Sequence, residues 1–199
     1  MRRAGIAALT ICACCVAALT AAPAGAETLS ASDTLQIEIA ATVVDRCGLS
    51  AGANPTSAQG NLEQAETLSF NFDLDCNTPF AVGVSSEHGG LRLTTATGSA
   101  LTDDTGFGVQ KAYKVALSVN TDSGTLDGGN CMSDQLTSSA GNCAFYGTTP
   151  GSGLSSGQKT AVGQAGTLTV SWNSDEGAAR RHAAGLYKDT LTIVVGPKT

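Results

Sequence analysis

The five residues Gly153-Leu154-Ser155-Ser156-Gly157 match Gly-x-Ser-x-Gly, a pattern in which a serine on a sharp strand-to-helix turn attacks a carbonyl carbon. That chemistry needs an apolar strand before the serine, a helix after it and a histidine to take the hydroxyl proton. Here the flanks are Thr149-Pro150-Gly151-Ser152 and Gln158-Lys159-Thr160, so the match reads as a flexible loop produced by composition. His88 lies beside Gly89-Gly90 and His182 follows Arg180-Arg181, and both read as solvated loop residues. Asp104-Thr105-Gly106 has the composition of a paired-aspartate hydrolytic site, but that site needs a second carboxylate to share a proton. Without an apolar approach strand it reads as a turn. Asp122, Asp127 and Asp134 could offer oxygen ligands to calcium, yet they lack the spacing of a calcium-binding loop. The sequence therefore offers no credible catalytic set, and no enzyme activity, metal or cofactor is expected.

Cysteine chemistry is more informative. Of seven cysteines, Cys12, Cys14 and Cys15 fall in residues 1–26, which read as a secretory signal. Arg2 and Arg3 supply its positive start, Ile6 to Leu19 its apolar core and Ala24-Gly25-Ala26 its cleavage site before Glu27. The apolar run is interrupted by Thr10 and Thr20 and falls short of the roughly 20 residues a spanning helix needs, so no membrane span is expected in the mature chain. Cys47, Cys76, Cys131 and Cys143 remain, an even number in an exported chain, which implies two disulfides. Three pairings are possible, and the one expected joins Cys47 to Cys76 and Cys131 to Cys143. A zinc site is disfavoured because the cysteines lack Cys-x-x-Cys spacing and nearby histidines.

The mature chain carries nine basic and seventeen acidic residues, a net charge of −8. An acidic surface without basic clusters argues against nucleic acid and anionic membrane as partners. Its 173 residues suffice for one domain with a substantial core.

The elements that must position these residues are strands. Leu35, Ile37, Ile39, Ala41 and Val43 alternate with polar or small residues just before Cys47, which predicts an extended segment with one apolar face. Gly48 to Gln64 reads as a loop or broken strand. Thr67 to Asp75 alternates cleanly, Phe80 to Ser85 follows the Asn77-Thr78-Pro79 turn, and Leu91 to Thr95 follows Gly89-Gly90. Tyr113 to Val119 places Tyr113, Val115, Leu117 and Val119 on one face. Asn120 to Gln164 is turn-rich, with local order expected only at Cys143 to Tyr146. Thr167 to Trp172 and Tyr187 to Val195 read as the closing strands. Short strands, turn clusters and no convincing amphipathic helix predict an antiparallel all-β sandwich of immunoglobulin type.

Three stretches together resemble the spore coat protein U domain family, which includes pilus subunits of archaic chaperone-usher systems of Gram-negative bacteria. They are the alternating strand leading into Cys47, the run Asp75-Cys76-Asn77-Thr78-Pro79-Phe80-Ala81-Val82-Gly83-Val84, and Gly185-Leu186-Tyr187-Lys188-Asp189-Thr190-Leu191-Thr192-Ile193. The resemblance covers essentially the whole mature chain, and its most specific part is the last stretch. It implies an incomplete immunoglobulin-like β-sandwich of pilin type that lacks its last strand. Residues 27–43 would then form an N-terminal donor-strand extension and 44–199 the pilin-like domain. Leu35, Ile37, Ile39, Ala41 and Val43 would be the donated side chains, Cys47 with Cys76 the family disulfide, and Tyr187, Leu191, Ile193 and Val195 the strand edging the acceptor groove. The implied partners are a periplasmic chaperone, an outer-membrane usher and neighbouring subunits. The implied route is export to the periplasm and then into a surface fimbrium serving adhesion or biofilm formation. The insertion from Cys131 to Cys143 and the ending Gly196-Pro197-Lys198-Thr199 depart from the family pattern.

Two other classes of function compete with this reading. A self-contained secreted β-sandwich binding module would pack Leu35 to Val43 into its own sheet and could use Trp172 and Tyr146 as a carbohydrate platform. A secreted hydrolase rests only on Gly153 to Gly157.

Overall fold

Alternation becomes a strand only where the backbone finds a ladder partner, and most of the expected segments do. The structure, a computed structural model, describes residues 36–52, 60–96, 106–175 and 180–198. The chain divides into Met1–Ala41 and Thr42–Thr199. The second unit is all-β, built from antiparallel sheets, and its described helical residues are two short 3-10 turns, Ser133–Leu136 and Ser139–Gly141.

Five strands form the largest sheet: β1 (Cys47–Ala51), β2 (Glu66–Cys76), β6 (Lys114–Thr121), β7 (Gly124–Met132) and β9 (Ala161–Trp172), in the order β1-β2-β9-β6-β7. A second sheet orders β11 (Leu191–Pro197), β3 (Phe80–Ser86) and β8 (Leu154–Ser155), and a third orders β10 (Gly185–Lys188), β4 (Leu91–Ala96) and β5 (Gln110–Lys111). Phe72, Leu74, Val115, Leu117, Val119, Leu168 and Val170 of the large sheet join Phe80, Val82 and Val84 of β3 in one apolar core, with Leu136 and Phe145 from the connecting segments. The predicted face Tyr113, Val115, Leu117 and Val119 is buried throughout.

Several expectations are corrected. The segment from Asn120 to Gln164 is more than turns, because Gly124–Met132 is a strand paired with β6 and β9 starts at Ala161 instead of Thr167. Glycines hid both. Gly128 lies against Phe145, where an added Cβ would meet the ring at 2.8 Å, and Gly163 has φ 62° beside the bulge that shifts the β2–β9 register at Leu74/Asp75. Such glycines interrupt the alternation while letting the chain bulge or approach a neighbour closely. Cys143 to Tyr146 is a turn around the buried Phe145. The stretch from Gly48 to Gln64, expected as a loop or broken strand, does begin as a short strand, since β1 pairs Cys47 with Cys76 through Ala51 with Phe72, while residues 53–59 lie outside the described ones.

The remaining correction concerns the final strand. Tyr187 to Val195 is two strands in different sheets, β10 against β4 and β11 against β3, broken at Asp189-Thr190. The cause is the hydrogen bonding of Asp189, described below. At the other end, Leu35 lies outside the described residues, and residues 36–46 carry no strand. Ile37 and Ile39 are 72% and 88% exposed.

Both disulfides are formed, Cys47 to Cys76 and Cys131 to Cys143, with sequence separations of 29 and 12. Closing loops of this size restricts the unfolded chain and raises its free energy by roughly 3 to 4 kcal/mol each. Converting either pair to serine should lower the urea midpoint accordingly, and non-reducing peptide maps of the exported protein should yield these two cross-linked pairs. A map that joins Cys47 to Cys131 or Cys143 contradicts this framework.

Candidate functional site

The inward face of β2 changes along its length. Phe72, Leu74 and Cys76 are buried, but Leu68 and Phe70, on the same face, are only half-buried. The same holds on β11, where Leu191, Ile193 and Val195 are half-buried although they point toward the core cluster. Between these strands lies a groove of about 1210 Å³. One wall is β2 and β9, through Leu68, Phe70, Leu168, Val170 and Trp172. The other wall is Leu191 and Ile193 of β11 together with β10, and Leu49 to Ala51 of β1 also line the groove. β11 is bonded to β3 and ends its sheet, so among the described strands its far edge has no ladder partner. An apolar trough beside an open backbone edge is a place where an extended peptide can add as a strand, its amides bonding the edge and its alternate side chains entering the trough.

Of the four residues expected to edge the groove, Tyr187, Leu191 and Ile193 line it, whereas Val195 is half-buried on β11 and lies outside its lining. Tyr187 stands on β10, with its hydroxyl 2.9 Å from the carbonyl oxygens of both Gly108 and Ala183. Burial raises the Tyr187 phenol above its ordinary value.

Asp189 explains why the strand breaks where it does. Its carboxylate accepts the hydroxyls of Ser86 and Tyr113, each at 2.7 Å, and the backbone amides of His88, Gly90 and Thr190 at 3.1, 3.0 and 2.8 Å. Five donors converge on one side chain, which ties β3, the β3–β4 turn and the residue before β6 to the β10–β11 junction. Burial, with the Asp189 carboxylate second, holds the Tyr113 phenol far above its usual range, so the hydroxyl stays a donor. Sequence reasoning placed Asp189 in its most specific stretch but assigned it no role. Nothing in its sequence neighbourhood signalled that role, because four of its five donors come from 76 to 103 residues away.

His182 is not the solvated loop residue that its polar neighbours suggested. Its Nδ1 faces the carboxylate of Asp175, its Nε2 lies 3.1 Å from the Gln110 carbonyl, and its ring meets Tyr187 edge-on at 5.7 Å. Asp175 is buried and also pairs with Lys111. Burial pushes the Asp175 carboxyl up, but the Lys111 ammonium and then His182 pull it down, and the net direction is below its ordinary value. Nothing in the sequence signalled this group.

The remaining candidates do not assemble a site. Ser155 belongs to the two-residue strand β8, paired with β3 and followed by a turn, not a helix. The neighbouring Ser156 is buried, accepting the Phe80 amide and donating to the Lys159 carbonyl. Asp104 and Thr105 lie outside the described residues. Asp122, Asp127 and Asp134 are engaged apart from one another, by Thr160 and Gln164, by the Gly129 amide and by the Gln135 amide. Trp172 is buried with its indole N–H donated to the Asn61 carbonyl, so it belongs to the groove wall and is not an exposed platform.

Asp189→Ala strands two hydroxyls and should cost about 2 to 4 kcal/mol in urea unfolding, with Asp189→Asn costing less because one acceptor oxygen survives. A loss within experimental error of zero rules out the convergence as a structural knot. The Asp175 carboxyl is lowered in the fold, so its contribution is present at neutral pH and fades as pH falls below about 3.8, the ordinary aspartate value. Asp175→Asn should therefore flatten the acid limb of stability against pH. Compared with models of known protein families and with curated proteins, the chain matches none, so the reading of this groove rests on its geometry.

Proposed function

We propose that this protein is a structural subunit of a surface fimbria, an incomplete immunoglobulin-like sandwich completed by a strand from a neighbouring copy. The observation that carries the reading is the groove itself, with half-buried Leu68, Phe70, Leu191 and Ile193 along it and the unpaired edge of β11 beside it. A second feature of the same chain matches it chemically. Residues 36–43 are exposed and form no strand of their own, and their sequence alternates Ile37, Ile39, Ala41 and Val43 with Gln36, Glu38, Ala40 and Thr42. That is the pattern an inserted strand needs: every second side chain for the trough, the rest for solvent. Burying Leu35, Ile37, Ile39 and Val43 at about 1.5 to 3 kcal/mol each contributes roughly 6 to 12 kcal/mol gross, before ordering costs.

A subunit that gives its strand at one site and accepts another's elsewhere makes a heterologous contact that does not close, and a filament follows. Before assembly the same exposed groove is an aggregation hazard. This is the physical need that a periplasmic chaperone meets, with an outer-membrane usher then exchanging chaperone for subunit. Export by residues 1–26 and two disulfides suit that route. The competing binding-module reading requires Leu35 to Val43 in the subunit's own sheet and Trp172 at the surface, and neither is observed for the described residues.

The test uses Ile39→Asp, which puts an unpaired charge in the middle of the donor face, and Ile193→Asp, which puts one in the groove wall. Ile39→Asp should fold, bind chaperone and still accept a synthetic peptide spanning residues 34–44, seen as a change in the fluorescence of Trp172, the single tryptophan. It should abolish the heat-dissociable polymer ladder when it is the only subunit. Ile193→Asp should lose peptide binding and fall in periplasmic level. A ladder from Ile39→Asp equal to that of wild type refutes strand donation.

A further inference from the structure

The chain immediately after the donor segment is held by one side chain. Asn77, in the turn between β2 and β3, donates its amide N–H to the Val44 carbonyl at 3.0 Å and accepts the Arg46 backbone N–H at 2.8 Å. Its own backbone N–H reaches the Arg46 carbonyl at 3.1 Å. Next to these bonds, the Arg46 guanidinium pairs with Asp75 at 2.8 Å, and Cys47 is joined to Cys76. Three hydrogen bonds from one residue thus hold the backbone at 44 and 46, directly before the covalent link at 47. Nothing about an exposed turn requires this: Val43 and Val44 are 79% exposed, so no apolar burial fixes the segment.

We propose that Asn77 is a positioning residue that removes the slack from the joint between consecutive subunits. This rests on the strand-exchange reading above. If Leu35 to Val43 lie in a neighbour's groove, the last inserted residue, Val43, is followed at once by the clamped Val44. The two bodies are then joined with no free residue between them, and their relative angle is set by the clamp instead of by a flexible linker. Removing the Asn77 side chain leaves Val44 and Asp45 free up to Arg46, whose carbonyl is still held by the Asn77 backbone N–H and whose guanidinium is still paired with Asp75, so about 7 Å of extended chain is released. A linker of that length lets each joint swivel, while the groove contacts that hold the polymer together are untouched.

The experiment compares wild type with Asn77→Ala, Asn77→Asp and a Gly-Ser-Gly-Ser insertion between Val43 and Val44. Amide exchange at Arg46 in the mature chain reads the clamp, the heat-dissociable ladder reads assembly, and fibre persistence length in electron micrographs reads the joint. The expected result is a normal ladder for all four and a several-fold shorter persistence length for Asn77→Ala and the insertion. Asn77→Asp, which keeps the acceptor for Arg46 but loses the donor to Val44, should fall between. In Asn77→Ala the Arg46 amide should exchange faster, with the melting temperature nearly unchanged. Faster exchange with fibres as stiff as wild type overturns the joint inference and leaves strand exchange standing. Flexible fibres from the insertion alone likewise overturn the role of Asn77. Absence of polymer from the wild type overturns strand exchange itself, and the inference falls with it.

Discussion

An extended backbone edge is stable in water only when its amides and carbonyls are either solvated or paired, and its side chains only when their apolar face is covered. Among the described strands β11 is paired on one side alone, by β3, so its other edge is left to solvent, and its apolar face is covered only in part. The rest of the domain is arranged around that incompleteness. β2 and β9 run past it with Leu68, Phe70, Val170 and Trp172 on the groove wall, and β10 turns away from β11 into another sheet. Such a surface is disfavoured for a protein that acts alone, and it suits one whose final strand arrives from outside.

Keeping the groove open requires that its lips not collapse onto each other. The Asp189 carboxylate fixes one of these lips by gathering Ser86, Tyr113 and three backbone amides at the junction of β10 and β11. Charge-assisted hydrogen bonds are about twice as strong as neutral ones, and five of them on a half-buried carboxylate leave it one geometry. The Asp175, His182 and Lys111 group supports the lip a few residues away, through His182 against the Tyr187 ring. These polar clusters lie where two sheets meet, and there they substitute for the continuous ladder that a single long strand would have supplied.

Rigidity is also concentrated at the start of the domain. The Cys47 to Cys76 bond, the Arg46 and Asp75 pair and the Asn77 hydrogen bonds all fall within a few residues of the exposed segment. Residues 36–43 carry no strand and are exposed, and the residues that follow them are held. Under the strand-exchange proposal, that contrast would leave free the part that changes partners and hold the part that transmits orientation.

The sequence by itself determined the period-two strands that bury a clean face, β2 and β6 above all, because alternation is a local property readable two residues at a time. It also determined the number of disulfides, the poor context of the serine and aspartate motifs and the alternation before Cys47, although the strand expected there is not formed by residues 36–46. It misjudged β7 and the start of β9, where glycines break the pattern, and it merged β10 with β11. Tertiary structure alone decided the break at Asp189, the setting of His182 and the grip of Asn77. The reason is separation along the chain. Asp189 meets Tyr113 from 76 residues away and Ser86 from 103, and Asn77 meets Val44 from 33. The groove is likewise a property of spaces between strands: half-burial of Leu68 and Ile193 depends on what does not pack against them, and no residue's neighbours in sequence encode that.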